Sequence, residues 1–161
     1  MVSGSTRYSI ALTEGLGDVL FGMSVTQVEE VLGRGDSATT YDLFDEWSFV
    51  LNYQGMALFF DSHEGFRLQS IEVGQDCQCT LFGLPLFPCS KGDVLRVMGE
   101  NLSAEELEYE ETSDQDLEES SLLFRGLAST FYFDLEGNLQ ELHWGVRVGA
   151  DGVIEWPAAG T

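Results

Sequence analysis

The chain has 161 residues, with 28 acidic and 7 basic side chains and a formal net charge of -21. Its 43% hydrophobic content is that of a globular protein, long enough to bury a core without metals or disulfides. A field of this sign repels nucleic acid and anionic membranes and attracts basic surfaces. No apolar run approaches the ~20 residues of a membrane span. The start, Met1 to Leu12, lacks the basic-then-apolar order of a secretory signal, so the expected location is cytoplasmic.

In chain order, an opening strand is expected over Arg7 to Leu12. Ser24 then begins a capping box with Gln27. Val25, Val28, Val31 and Leu32 share one helical face, and Gly33 supplies a C-terminal cap. Strands follow at Trp47 to Tyr53, Met56 to Asp61 and Arg67 to Val73, with Gln54-Gly55 as the first turn.

The same grammar returns downstream. Ser90 with Asp93 opens a second helix carrying Val94, Val97 and Met98, and Gly99 is placed at its end. Strands are expected at Leu122 to Leu127, Ser129 to Asp134 and Leu139 to Trp144, then a closing strand, Val153 to Trp156, after the Asp151-Gly152 turn.

Direct alignment supports a duplication. Leu20-Phe21-Gly22-Met23-Ser24 falls on Leu86-Phe87-Pro88-Cys89-Ser90, and Val28, Val31 and Gly33 fall on Val94, Val97 and Gly99. Met56 to Asp61 falls on Ser129 to Asp134, and Leu68 on Leu139. The expected fold is α+β: two tandem repeats, each a helix followed by a three-stranded antiparallel meander. The boundaries are 1–76 for the first repeat with its N-terminal strand and 77–161 for the second, with an acidic insertion at 100–119.

That insertion holds ten Asp or Glu among twenty residues and no Lys or Arg. Such a run repels itself and is expected to stay extended or mobile. Its concentration in one segment argues against acidity spread evenly by a high-salt habitat. The expected partner-binding residues are Glu105, Glu106, Glu108, Tyr109, Glu110, Glu111, Asp114, Asp116, Glu118 and Glu119, with Trp144 as an aromatic contact on a sheet face.

No catalytic set is assigned. His63 lies in a turn and His143 on a strand, and neither has an activated nucleophile beside it in sequence. There is no phosphate-binding glycine loop, zinc-protease motif or serine-hydrolase elbow. Cys77, Cys79 and Cys89 are an odd set without a fourth zinc ligand nearby, and are expected to be buried free thiols. The acidic stretch lacks the order of an EF-hand. No cofactor or metal is expected.

The run Leu20-Phe21-Gly22-Met23-Ser24, with Val28, Leu32 and Gly33, resembles the helix–sheet unit of β-lactamase-inhibitor proteins and of small outer-membrane assembly lipoproteins. The tandem arrangement is nearer the inhibitor proteins. Cytosolic proteins of similar make-up resemble immunity proteins encoded beside bacterial toxins. The resemblance implies a non-enzymatic inhibitor that blocks a basic toxin, such as a nuclease or a nucleic-acid deaminase. The alternatives are a scaffold or envelope-assembly binding module, and an enzyme using unmarked carboxylates.

Overall fold

The structure, a computed structural model, describes residues 8–43, 46–61 and 65–157, with only the backbone given for 41–43 and 46–47. Arg7, His63 and the Trp47 side chain lie outside the described residues.

Three short strands begin the chain: β1 (Tyr8–Ala11), β2 (Gly15–Leu16) and β3 (Val19–Leu20). Helix α1 (Val25–Leu32) leads into β4 (Ser37–Leu43), β5 (Glu46–Tyr53), β6 (Met56–Asp61) and β7 (Arg67–Gly74). Two more short strands, β8 (Cys79–Leu81) and β9 (Leu84–Pro85), precede α2 (Lys91–Asn101). The chain then forms β10 (Glu110–Asp114), β11 (Glu119–Phe124), a 3-10 turn (Arg125–Leu127), β12 (Ser129–Asp134) and β13 (Leu139–Gly145). A hairpin of β14 (Arg147–Val148) and β15 (Ile154–Glu155) closes it.

The expected α+β layout of helix plus three-stranded meander is overturned. Among the described residues the protein is mostly β, with 48% strand and 16% helix. Eight strands form one antiparallel sheet in the order β10-β11-β12-β13-β7-β6-β5-β4. The two meanders have four strands each and are joined where β13 pairs with β7, from Glu141 opposite Gly74 to Gly145 opposite Ser70. Two strands absent from the sequence reading, β4 and β10, are the sheet's edges. An edge strand need not bury either face, so it leaves no apolar alternation to read: all five β10 residues are exposed, and Ser37 to Thr40 of β4 are exposed too. The acidic insertion is therefore not a free arm, since its second half is a paired strand and turn.

Period-two alternation places one face of this sheet in the core. Phe60 of β6 stands opposite Leu68 of β7, and Phe131 of β12 opposite Leu122 and Leu142. These side chains are fully buried. The same core cluster takes in Val28 of α1, Val94 and Met98 of α2, and Ile10, Leu16 and Leu81 of the five-stranded sheet β3-β2-β1-β8-β9. Helices and small sheet thus cover the inner face, and the hydrophobic effect supplies the main stabilisation. The core runs without a break through residues of 1–76 and 77–161.

Two local features recur at positions that the sequence alignment pairs. The ladder shifts register between Phe59 and Phe60 and again between Tyr132 and Phe133. Leu68 N–H donates to the Met23 carbonyl at 2.8 Å, and Leu139 N–H to the Cys89 carbonyl at 2.9 Å.

Both capping boxes form. Ser24 Oγ accepts from Gln27 N–H at 3.2 Å, and Ser90 Oγ from Asp93 N–H at 3.1 Å. Hydrogen bonds from the Ser90 backbone and side chain, then the Arg96 charge, hold the Asp93 carboxyl below the usual carboxylate range. Its stabilising contribution is therefore present above its unfolded pKa and is lost as pH falls through the folded value. Ser90→Ala is expected to cost about 1 kcal/mol in chemical denaturation at neutral pH, and the deficit should shrink in acid.

Other expectations need correction. Gly99 does not end α2, which runs on to Asn101 with Leu102 as an extended C-cap. Val31 is 43% exposed rather than part of the buried helix face. The closing strand is Ile154–Glu155 rather than Val153 to Trp156, and it pairs with Arg147–Val148 in its own hairpin.

Candidate functional site: the acidic edge and the uncovered sheet face

After α2 the chain turns at Ser103. Its N–H and hydroxyl both donate to Glu106 Oε1, each at 3.0 Å, which holds the Glu106 carboxyl below its ordinary value. Leu107 packs against the core and pins this turn. Tyr109 follows, with its ring 5.4 Å from the buried Phe124 ring and the residue still 46% exposed. Strand β10 then pairs with β11 from Glu110 opposite Leu123 to Asp114 opposite Glu119. At the tip, Asp114 Oδ1 accepts from the N–H groups of Asp116 and Leu117 at 3.0 and 3.2 Å, closing the turn.

Two of the acids on β10 have a cation of their own. Glu110 makes a bidentate pair with Arg125, at 3.1 Å to Nε and 2.9 Å to Nη2. That hydrogen bonding and charge hold the Glu110 carboxyl below its usual range. Glu111 meets Lys91 Nζ at 3.0 Å. Among the described residues the structure gives no ion pair to Glu105, Glu108, Asp114, Asp116, Glu118 or Glu119. These six carboxylates share one edge of the molecule, where their fields add.

Apolar groups lie among them. A groove of about 380 Å³ is lined by Tyr109, Leu123, Glu105, Glu108, Glu110 and Arg125, with Gly126 at its end. At the opposite end of the hairpin Leu117 is 66% exposed. The register Asp114–Glu119–Asp134 puts the neighbouring β12–β13 turn at that same end, and it presents Leu135 at 60% exposure.

The uncovered sheet face continues inward from this edge. His143 lies between Glu72 and Glu141, at 3.3 and 3.2 Å, with its ring 4.7 Å from that of Tyr132. Burial raises the Glu72 carboxyl; His143 opposes the rise and Glu141 adds to it. The arrangement fixes an imidazole between two acceptors. Sequence reasoning left His143 unpartnered because its neighbour Glu72 is 71 positions away in the chain, brought alongside only by the β7–β13 pairing.

Trp144 is not a surface contact. It is 1% exposed, and its indole N–H donates to the Gly15 carbonyl at 3.1 Å. The alternation of β13 turns it inward beside Leu142, and His143 takes the outer face instead.

No group of three or more His, Cys, Asp or Glu among the described residues is arranged to hold a metal ion. No helix among them is long and apolar enough to cross a membrane. No protein-family model, curated protein or solved structure matches this chain.

Proposed function

We propose that this chain is a non-enzymatic binding protein whose acidic edge covers a basic protein surface. In this reading it acts as an inhibitor or immunity protein that masks a cationic toxin site, such as that of a nuclease or a nucleic-acid deaminase. The observation that carries the proposal is the edge formed by the β10–β11 hairpin and the turn before it: six carboxylates with no ion pair among the described residues, interleaved with exposed Tyr109 and Leu117. Such an edge offers long-range attraction for steering and apolar anchors for residence. The partly exposed face around Tyr132 and His143 lies beside it and extends the surface a partner can cover. Three buried free thiols accord with a reducing compartment such as the cytoplasm.

The test is affinity capture by the tagged full chain from cells that make it, at low ionic strength, followed by mass spectrometry and stoichiometry. A one-to-one partner of net positive charge, displaced when the salt is raised, is expected. A stoichiometric partner that is acidic or neutral at its contact surface overturns the proposal.

A further inference from the structure

Two of the three core thiols are neighbours at the junction between the sheets. Cys77 and Cys79 lie where the chain leaves β7 and enters β8, each 4% exposed, while Gln78 between them points outward. Residues two apart in extended chain project to the same side. Their Cα atoms are then ~6.5 Å apart by strand rise, inside the ~4.4–6.8 Å that a disulfide spans.

The Cys79 thiol donates to the Cys77 carbonyl oxygen at 3.8 Å. A cavity of about 330 Å³ is lined by both cysteines, with Asp76, Gln78 and Phe87 in its wall. That is roomy for a small hydroperoxide, since one water occupies ~30 Å³. Cys89 lines a different cavity, of about 280 Å³, which shares Phe87 and Gln75 with the first.

We propose that Cys77 and Cys79 form a dithiol that a small hydroperoxide oxidises to an intrachain disulfide, leaving Cys89 reduced. The Cys77 thiolate attacks one peroxide oxygen, the O–O bond breaks, and Cys77 sulfenic acid and hydroxide form. Cys79 sulfur then attacks the Cys77 sulfur. The S–O bond breaks, the Cys79 proton goes to the departing oxygen, and water leaves. In sum, two thiols are oxidised and one hydroperoxide is reduced to two waters, or to water and an alcohol. The hydrogen bond from Cys79 lowers the Cys77 thiol, which favours it as the first nucleophile. Cys79 is raised by that bond and by burial, and burial pushes Cys89 up to about 11.

The experiment treats the folded full chain with hydrogen peroxide, quenches it, and titrates thiols after denaturation. The count should fall from three to one per chain, with the intact mass lower by two hydrogens and full recovery on adding dithiothreitol. Trypsin releases residues 68–91, which hold all three cysteines. Fragmentation should be silent only around Gln78, as a bridge between Cys77 and Cys79 requires. Cys89→Ser should oxidise like the parent, and Cys77→Ser should form no intrachain bridge. Three surviving thiols, a bridge to Cys89, or sulfinic acid at Cys77 without a disulfide overturns the inference, and the wild-type protein alone decides it. None of these results bears on the acidic edge, so this inference and the proposed function stand or fall separately.

Discussion

Trp144→Ala is expected to lower the unfolding free energy by about 3–5 kcal/mol, the range for removing a large aromatic from a core. The residue stands where the two four-stranded halves meet: Ile71 of β7 lies opposite it on one side and Ser129 of β12 on the other. Its indole N–H reaches the Gly15 carbonyl at 3.1 Å, tying the large sheet to β2 of the small one. Alanine leaves a void and an unpaired buried carbonyl. Trp144→Phe keeps most of the volume and isolates the hydrogen bond, with an expected cost of about 1–3 kcal/mol for the carbonyl left unsatisfied. Urea denaturation of both variants checks this. A loss below ~1 kcal/mol for the alanine variant contradicts a central structural role.

Neutralising the edge is expected to act on binding and leave folding intact. Changing Glu105, Glu108, Asp114, Asp116, Glu118 and Glu119 to Gln removes six charges, keeps the size of the four glutamate side chains and lengthens the two aspartates by one methylene. Five of the six are exposed and Glu119 is partly so, so unfolding should shift by no more than a few tenths of a kcal/mol for each change except Asp114, whose carboxylate closes the hairpin turn and whose replacement should cost about 1 kcal/mol. Association with a cationic partner should slow by ~10–10³-fold at low salt, because steering by the summed field is lost. Tyr109→Ala and Leu117→Ala should instead raise the dissociation rate, since an apolar anchor contributes after encounter rather than before it. Stopped-flow association and dissociation separate the two effects. Equal on-rates for the parent and the six-glutamine variant count against electrostatic capture.

The unpaired carboxylates along this edge have a second consequence. Carboxylates on an edge strand discourage pairing with another chain. If edge protection were their whole purpose, the six-glutamine variant would self-associate yet bind its partner normally. Light scattering alongside the kinetics distinguishes that outcome from the loss of capture expected here.

How much was legible beforehand follows from what each segment buries. Met56 to Asp61 and Ser129 to Asp134 alternate buried and half-buried residues throughout, and the sequence bounds match the observed ones. Both capping boxes were readable because they are local, a Ser and an acceptor three positions on. The edges were not readable. Ser37 to Leu43 and Glu110 to Asp114 gain strand structure from a partner already in the sheet, not from their own periodicity. The acidic segment stands out in the sequence as a concentration of charge, but composition alone cannot show that Leu107 and Tyr109 dock it on the core. Nor does a strand pattern say which of His143 and Trp144 faces inward: Leu142 puts Trp144 on the buried side, whereas Leu139, across the register shift, would by plain alternation put His143 there. The Glu110–Arg125 and Lys91–Glu111 pairs, which divide the acids into engaged and available sets, link positions 15 and 20 apart.

The most direct measurement is the affinity of the captured partner across a salt series, for the parent and the six-glutamine chain side by side. Attraction between opposite charges weakens as the screening length shortens from about 10 Å at 0.1 M salt to about 3 Å at 1 M. The parent should lose affinity steeply over that range, while the six-glutamine chain starts weaker and changes little. Two flat, superimposable curves would contradict the account.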